Sequence, residues 1–423
     1  MRILFLHDAF PAQFGHVALE LTRRHGWSCH FLVEAVSNCP EPSPEMLRVL
    51  DVRGYPLSEG YRTRGEVPWP QIYGRFLELC EAAHEAIRRS PDLKPDLVVA
   101  HGGRGAPTPF LRDLLDCPII NYCEYFFAAD HRDISYRVDL PPAEPAPFFP
   151  RCINAPVLVG LVDCDSGYSA THWQRSSFPE RFRPKIEVHF DGIDARLYRP
   201  GPVAREVAGR SIAAGTKVVT FVSRGLESIR GFDLFMEVAR RIAAERADVL
   251  FVVVGGEGIY YGWDKLHTGQ DNFKEWVLGR GGFDLSRFVF LGQVGPARLA
   301  EVLRISDLHL YLTAPFVLSW SLLDAMATGL VILASDVAPV REVIEPGVNG
   351  LVAPLFDVDA MATSALGVLA DPAAFAPLGV AARETIEARY SIDVAIPGLK
   401  DYFERVASAG PRGDLGPGGG RPA

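Results

Sequence analysis

The chain has 423 residues, 48% of them hydrophobic and 22% charged, a length beyond what one hydrophobic core organises and therefore expected to divide into two domains of roughly 150–200 residues. A net charge of −9 excludes the basic excess of a nucleic-acid binder, so no nucleic-acid partner is expected. The seven cysteines, Cys29, Cys39, Cys80, Cys117, Cys123, Cys152 and Cys164, are odd in number and form no CxxC pair, which excludes a disulfide frame or a zinc site and reads as reduced thiols.

The opening MRILFLHDAF enters an apolar run too short for a membrane span and lacking a signal-peptide cleavage pattern, so a cytoplasmic protein is expected, with any membrane contact peripheral. Ile3–Leu6 reads as a strand, His7–Phe14 as a polar loop and Gly15–Arg24 as an amphipathic helix. The alternation continues with strands at Ser28–Val33, Leu97–Ala100 and Pro118–Tyr122 and a helix at Phe76–Arg89. From Phe190 to Lys217 the rhythm breaks at Asp-Gly and Arg-Pro-Gly-Pro, which marks a domain boundary near residues 200/201.

A second alternating series follows: strand Val218–Val222, helix Phe232–Ala244, strands Val249–Val254 and Val289–Leu291, helix Ala297–Ile305, strand Leu308–Leu312, helix Ser321–Thr328 and strand Val331–Ala334. Strands alternating with helices require parallel pairing through crossovers, hence two doubly wound α/β domains, 1–200 and 201–395, expected to face each other across a cleft. A terminal helix at Asp401–Val406, within 396–408, is expected to pack back on the first domain. The Gly/Pro-rich stretch 409–423 has no apolar face and is expected to be mobile.

Ligands in open parallel sheets sit beyond the carboxyl ends of strands, so the loops there are the candidate sites. Arg224-Gly225-Leu226-Glu227-Ser228-Ile229-Arg230-Gly231 places two guanidiniums near glycines, a pattern suited to diphosphate oxygens and also to a solvated loop. Gly255-Gly256-Glu257-Gly258 permits close backbone approach. Thr313–Asp324 leads into a helix whose free N–H groups suit an anion. There Asp324 either accepts from ribose hydroxyls or forms an S-x-x-D capping pair with Ser321.

On the first domain, His7, Asp8, Phe10, Gln13 and His16 in the first loop, His101 after its strand and Glu124 after Tyr122 are candidates to handle sugar and acceptor hydroxyls, or equally to serve packing. Asp163-Cys164-Asp165 imitates a DxD metal motif, but nothing nearby supplies further oxygen ligands, and no metal is expected. No Ser/His/Asp or Cys/His spacing supports a hydrolase.

Together these stretches resemble the retaining family 4 glycosyltransferases of GT-B fold, and among them a bacterial subgroup whose first loop reads like Phe10-Pro11-Ala12-Gln13-Phe14. The similarity includes Thr171-His172-Trp173-Gln174-Arg175-Ser176, Phe182-Arg183-Pro184-Lys185-Ile186, Asp191-Gly192-Ile193-Asp194, the block Pro315–Ala327 and Glu345-Pro346-Gly347-Val348-Asn349-Gly350. The resemblance implies a sugar nucleotide, UDP- or GDP-linked, as co-substrate, no other cofactor, and a glycan, lipid-linked or small-molecule acceptor. It implies that Arg224 and Arg230 bracket the donor diphosphate and that Gly255, Gly256, Gln293, Val294 and the run Phe316, Val317, Leu318, Ser319, Trp320, Ser321 with Asp324 complete the donor side. His101 would orient sugar or acceptor.

The family carries two glutamates eight residues apart. Here the second place is Asp324 and the first is Phe316, which cannot accept a sugar hydroxyl. A catalytically silent sugar-nucleotide-binding subunit and a GT-B-fold epimerase use the same residues and remain alternatives.

Overall fold

The computed structural model describes residues 1–36, 41–55, 69–102, 111–128, 136–140, 148–261 and 264–411. The chain divides into two compact units: Met1–Ala129, Ala146–Asp191 and Ala395–Ala423 form the first, Asp130–Pro145 and Gly192–Val394 the second.

The first unit is built on seven parallel strands, β1 (Arg2–Phe10), β2 (Ser28–Val36), β3 (Asp51–Gly54), β4 (Leu97–His101), β5 (Ile119–Tyr122), β6 (Ser166–Ser169) and β7 (Ile186–Val188). Their order is β3-β2-β1-β4-β5-β6-β7. Val, Ile and Leu fill both faces of the central strands, as a sheet covered by helices on each side demands. The order reverses between β1 and β4, which makes that edge the place for a ligand.

The second unit has a small antiparallel hairpin, β8 (Glu206–Val207) and β9 (Arg210–Ser211), then six parallel strands: β10 (Lys217–Gly225), β11 (Val249–Gly256), β12 (Phe288–Phe290), β13 (Leu308–Tyr311), β14 (Ile332–Ser335) and β15 (Leu351–Ala353). The order β12-β11-β10-β13-β14-β15 reverses between β10 and β13. At that edge Gly231 adopts φ 73°, and a Cβ there would overlap the Leu312 carbonyl. Only glycine lets the loop after β10 lie this close to the end of β13.

Four expectations are corrected. Residues His7–Phe10 do not form a loop but continue β1, because β2 is equally long and Ala9 and Phe10 pair with Ala35 and Val36. The division between units falls at 191/192 rather than 200/201. Ile193 is bridged to the 390s through Ile193 N–H to the Tyr390 carbonyl and Ile392 N–H to the Ile193 carbonyl, and the Arg304 and Arg383 guanidiniums hold the carbonyls of Leu197, Tyr198 and Arg199. The terminal helix runs Ile392–Ala409 rather than Asp401–Val406, with Pro397 inside it. Pro397 lies early enough that it deprives only the Asp393 carbonyl of its helical donor. Finally, the described residues 136–140 belong with the second unit although they precede β6 in sequence.

The stretch Pro141–Phe149 meets the described residues only at its end, where the helix Phe148–Asp163 begins. The tail from 412 and Gly103, Arg104 and Gly105 lie outside the described residues. Among the described residues no single helix is long and apolar enough to cross a membrane. The described cysteines are free thiols.

Candidate functional site

In the second unit β10 delivers Arg224 and Arg230 to the switch point between β10 and β13. The intervening loop is shaped by a buried carboxylate: Glu227 accepts the backbone N–H groups of Tyr260 and Tyr261 at 2.9 and 2.8 Å, while its carbonyl accepts from Arg230 and Phe232 N–H. Asp264 accepts from both the N–H and the hydroxyl of Ser228. Burial pushes the Asp264 carboxyl up to about 6, against the lowering effect of Ser228.

Arg137 anchors the same turn from the other side. It donates to the Ser228 carbonyl at 3.0 Å and to both oxygens of Asp233 at 3.1 and 2.6 Å. Burial alone would lower its pKa, but Asp139 and Asp233 outweigh it and hold it raised.

The two candidate arginines differ in setting. Arg224 is exposed, lies over the Tyr260 ring at 4.6 Å and donates to the Tyr261 hydroxyl at 3.1 Å. Arg230 is buried, donates to the Val317 carbonyl at 3.0 Å and sits 5.4 Å from the ring centres of both Tyr261 and Phe316. Phe316 is 2% exposed and packs on Tyr261. At the place where a carboxylate was expected, the chain thus puts an aromatic support for a cation.

The helix Trp320–Ala327 starts beside them. Ser319 caps it by accepting the Ser321 N–H, its own N–H is held by the Tyr311 hydroxyl at 2.9 Å, and the Ser321 hydroxyl donates to the Val222 carbonyl at the end of β10. The capping partner of Ser321 is therefore Ser319 and not Asp324. Asp324 is buried and faces the Tyr198 hydroxyl. Burial pushes its carboxyl well above the usual range, with Tyr198 lowering and Asp194 raising it. Val317 is half-buried and Leu318 buried, so these two contribute backbone and packing to the turn.

The glycines that end β11 serve packing of the chain on itself. A Cβ on Gly255 would come 2.8 Å from the Ser223 carbonyl and one on Gly256 3.0 Å from Gln293 Nε2. The close approach they permit is to the 223–226 and 293 loops of the protein itself. Gln293 donates to the Tyr260 hydroxyl at 3.2 Å, and Val294 follows, half-buried.

The first unit gathers a second group at the β1/β4 edge. His101, at the end of β4, is 3.4 Å from Glu124 Oε2 and in ring contact with His7 at 5.0 Å and Tyr122 at 5.4 Å. His7 Nδ1 accepts the Ala9 N–H, so its Nε2–H donates to Gln13 Oε1 at 3.0 Å. His16 donates to the Asp191 carbonyl at 2.8 Å. Burial would lower the His101 pKa, but Glu124 first and then Asp8 and Asp191 raise it above its ordinary value. Burial and Glu124 push the Asp191 carboxyl up to about 8, with His101 opposing.

Gln13, His16, His101 and Glu124 thus come together, whereas Phe10 does not join them: it is fully buried against Phe31 in the core. Sequence reasoning missed Tyr168 and gave Asp191 no site role. Tyr168 is the in-register partner of Tyr122, a relation that only strand pairing reveals. Asp165 accepts the Ile119 N–H and pairs with Arg112 at 2.6 Å, which gives the second Asp of the DxD-like triplet a structural task.

Comparisons with known proteins agree with this architecture. Residues 76–198 match the model of the glycosyl transferase family 4 group and residues 216–371 that of the glycosyl transferases group 1. The chain is 28% identical over 198 residues to a phosphatidyl-myo-inositol mannosyltransferase of Mycolicibacterium smegmatis, covering 46% of each chain. It is 28% identical over 231 residues to a D-inositol 3-phosphate glycosyltransferase of Gordonia bronchialis, covering 52% of this chain and 47% of that one. The matched region thus spans about half the length of these curated relatives.

Sucrose-phosphate synthase from Thermosynechococcus elongatus superposes with TM-score 0.72 at 17% identity, over 96% of this chain and 99% of that one. Anabaena HepE, solved with UDP and glucose, superposes with TM-score 0.66 at 15% identity, over 96% of this chain and all of that one. Two Rossmann-like units, each with its polar group at a strand-order reversal, and family matches in both units lead to one conclusion: the chain belongs to the family 4 glycosyltransferases of GT-B fold.

Proposed function

We propose that the protein transfers a hexose from a nucleoside-diphosphate sugar, UDP- or GDP-linked, to an acceptor hydroxyl with retention of anomeric configuration and without a metal ion. The observation that carries this reading is the pair Arg224 and Arg230, seated on Tyr260, Tyr261 and Phe316 beside the start of the Trp320–Ala327 helix. Two guanidiniums and a helix N-terminus fixed before the ligand arrives stabilise the negative charge that develops on a diphosphate leaving group.

In the proposed step the bond from the anomeric carbon to the phosphate oxygen breaks. The acceptor oxygen bonds to the same carbon on the same face, and the acceptor proton passes to the departing phosphate oxygen. No side chain has to act as base, and His101 with Glu124 orients a hydroxyl.

Calorimetric titration with UDP, GDP, ADP and dTDP in EDTA tests the donor side. One nucleotide is expected to bind, and Arg224→Ala to weaken it by about 1.5–3 kcal/mol, the scale of a charge-assisted hydrogen bond. Binding that requires a divalent ion would remove the metal-independent reading. The buried Phe316 favours a second reading, a subunit that binds sugar nucleotide without transfer; it predicts nucleotide binding with neither transfer nor hydrolysis of any donor.

A further inference from the structure

Strand register sets one row of side chains across the carboxyl edge of the first sheet. His101 pairs with Tyr122 and Tyr122 with Tyr168, and His7 follows Leu6, the partner of Ala100. The rings contact one another in the order His7, His101, Tyr122, Tyr168 at 5.0, 5.4 and 5.1 Å. Asp191 faces this row: its carboxyl acts electrostatically on His101, Tyr122 and Tyr168. The His16 bond to its carbonyl fixes the backbone there.

Asp191 is 1% exposed and Tyr168 is fully buried. Both carboxyl oxygens of Asp191, the Tyr168 hydroxyl and His101 Nδ1 are buried without a hydrogen-bond partner among the described residues. Native proteins rarely leave one such atom unsatisfied, and four from three neighbouring side chains mark a place built for polar atoms that the described residues do not supply.

The geometry points to Asp191, with Tyr168 and His101, as a closed subsite of the first unit that takes hydroxyl groups of a neutral polyol. A hydroxyl both donates and accepts, so it can satisfy the Asp191 carboxyl and the Tyr168 hydroxyl together. The charge of the site selects against phosphate: the Glu124 carboxylate acts on Asp191 and His101 opposes it, so a phosphate dianion would meet the Glu124 carboxylate, whereas a neutral hydroxyl would not be repelled. Burial keeps the Asp191 proton bound to about pH 8, which gives the site a neutral acid able to donate to a sugar oxygen. Identifying this polyol as the acceptor rests on the glycosyltransferase reading.

Saturation-transfer NMR and calorimetry on the full chain with glucose, N-acetylglucosamine, myo-inositol and glucose 1-phosphate test the subsite, with UDP titrated in parallel. At least one neutral polyol is expected to bind, glucose 1-phosphate about tenfold more weakly, and Asp191→Ala to weaken the polyol about tenfold while UDP affinity stays unchanged. Asp191→Asn keeps the shape of the side chain and is expected to lose about threefold, which decides the matter should the alanine variant not fold. Equal polyol binding by wild type and variants, with only the melting temperature altered, would mean a structural water and overturn the subsite. So would equal binding of the phosphorylated sugar, or the absence of polyol binding while UDP binds. Failure of every nucleotide would instead overturn the glycosyltransferase reading.

Discussion

Arg230 is surrounded by groups that support a cation without cancelling it: the Val317 carbonyl, the Thr313 hydroxyl and the faces of Tyr261 and Phe316. A carboxylate at position 316 would lie against the guanidinium and neutralise it. Phe316→Glu is therefore expected to weaken UDP binding by about 1.5 kcal/mol, roughly tenfold in Kd, because the guanidinium would be shared between the new carboxylate and the diphosphate. Calorimetry decides it, and a variant that binds UDP as tightly as wild type would show that Arg230 does not carry the diphosphate. The identity of these residues was legible in the sequence, since charged and aromatic residues after strands announce themselves. Their direction was not. Nothing in the run Thr313–Asp324 discloses that Phe316 turns inward to Tyr261, or that Asp324 turns to Tyr198, because those orientations depend on elements distant in sequence.

At the scale of elements, legibility followed hydrophobic density. The strands β10 and β11 carry runs rich in Val and Phe, β13 carries Leu308 and Leu310, and all three were found within a few residues of their true ends. By contrast β6, Ser-Gly-Tyr-Ser, and β3, Asp-Val-Arg-Gly, carry no such run and are held as strands by their neighbours' ladders.

The same sheets contain a polar residue that periodicity takes for a simple strand position. His309 on β13 is fully buried, shares a 3.0 Å hydrogen bond with the Thr220 hydroxyl on β10, and has an Nε2 without a partner among the described residues. Burial pulls its pKa down from 6.5 to about 3. A base with a depressed folded pKa contributes stability that is present above its unfolded value and is lost as pH falls toward its folded value. Between about pH 6.5 and pH 3 this residue should thus draw stability down by up to about 1.4 kcal/mol per pH unit. Urea unfolding of wild type and His309→Gln at pH 7, 6, 5 and 4 should show a shallower decline in the variant; parallel declines would place the acid sensitivity elsewhere.

At the scale of the whole molecule, the chain does not hand over from one unit to the other once. The described segment 136–140 lies in sequence between β5 and β6 of the first sheet yet belongs to the second unit, and the last helix returns to the first from Ala395. Composition cannot signal such an excursion, because what fixes it is a few side-chain contacts: Tyr136 stacks on Phe356, and Arg137 makes a buried ion pair. Arg137, with its side chain 7% exposed, pairs with Asp233, 9% exposed, and also holds the Ser228 carbonyl in the loop that presents Arg230. Removing one partner of a buried pair leaves the other charge desolvated and alone, at a cost of about 3–5 kcal/mol. Arg137→Ala is accordingly expected to destabilise the second unit by that amount and to leave the first intact, since the two have separate cores. Hydrogen–deuterium exchange resolved by peptide reads the two units separately. Protection should fall across β10, the 226–233 loop and the Phe232–Glu245 helix while β1, β4 and β5 keep theirs, whereas a uniform loss across both sheets would show that the units unfold as one.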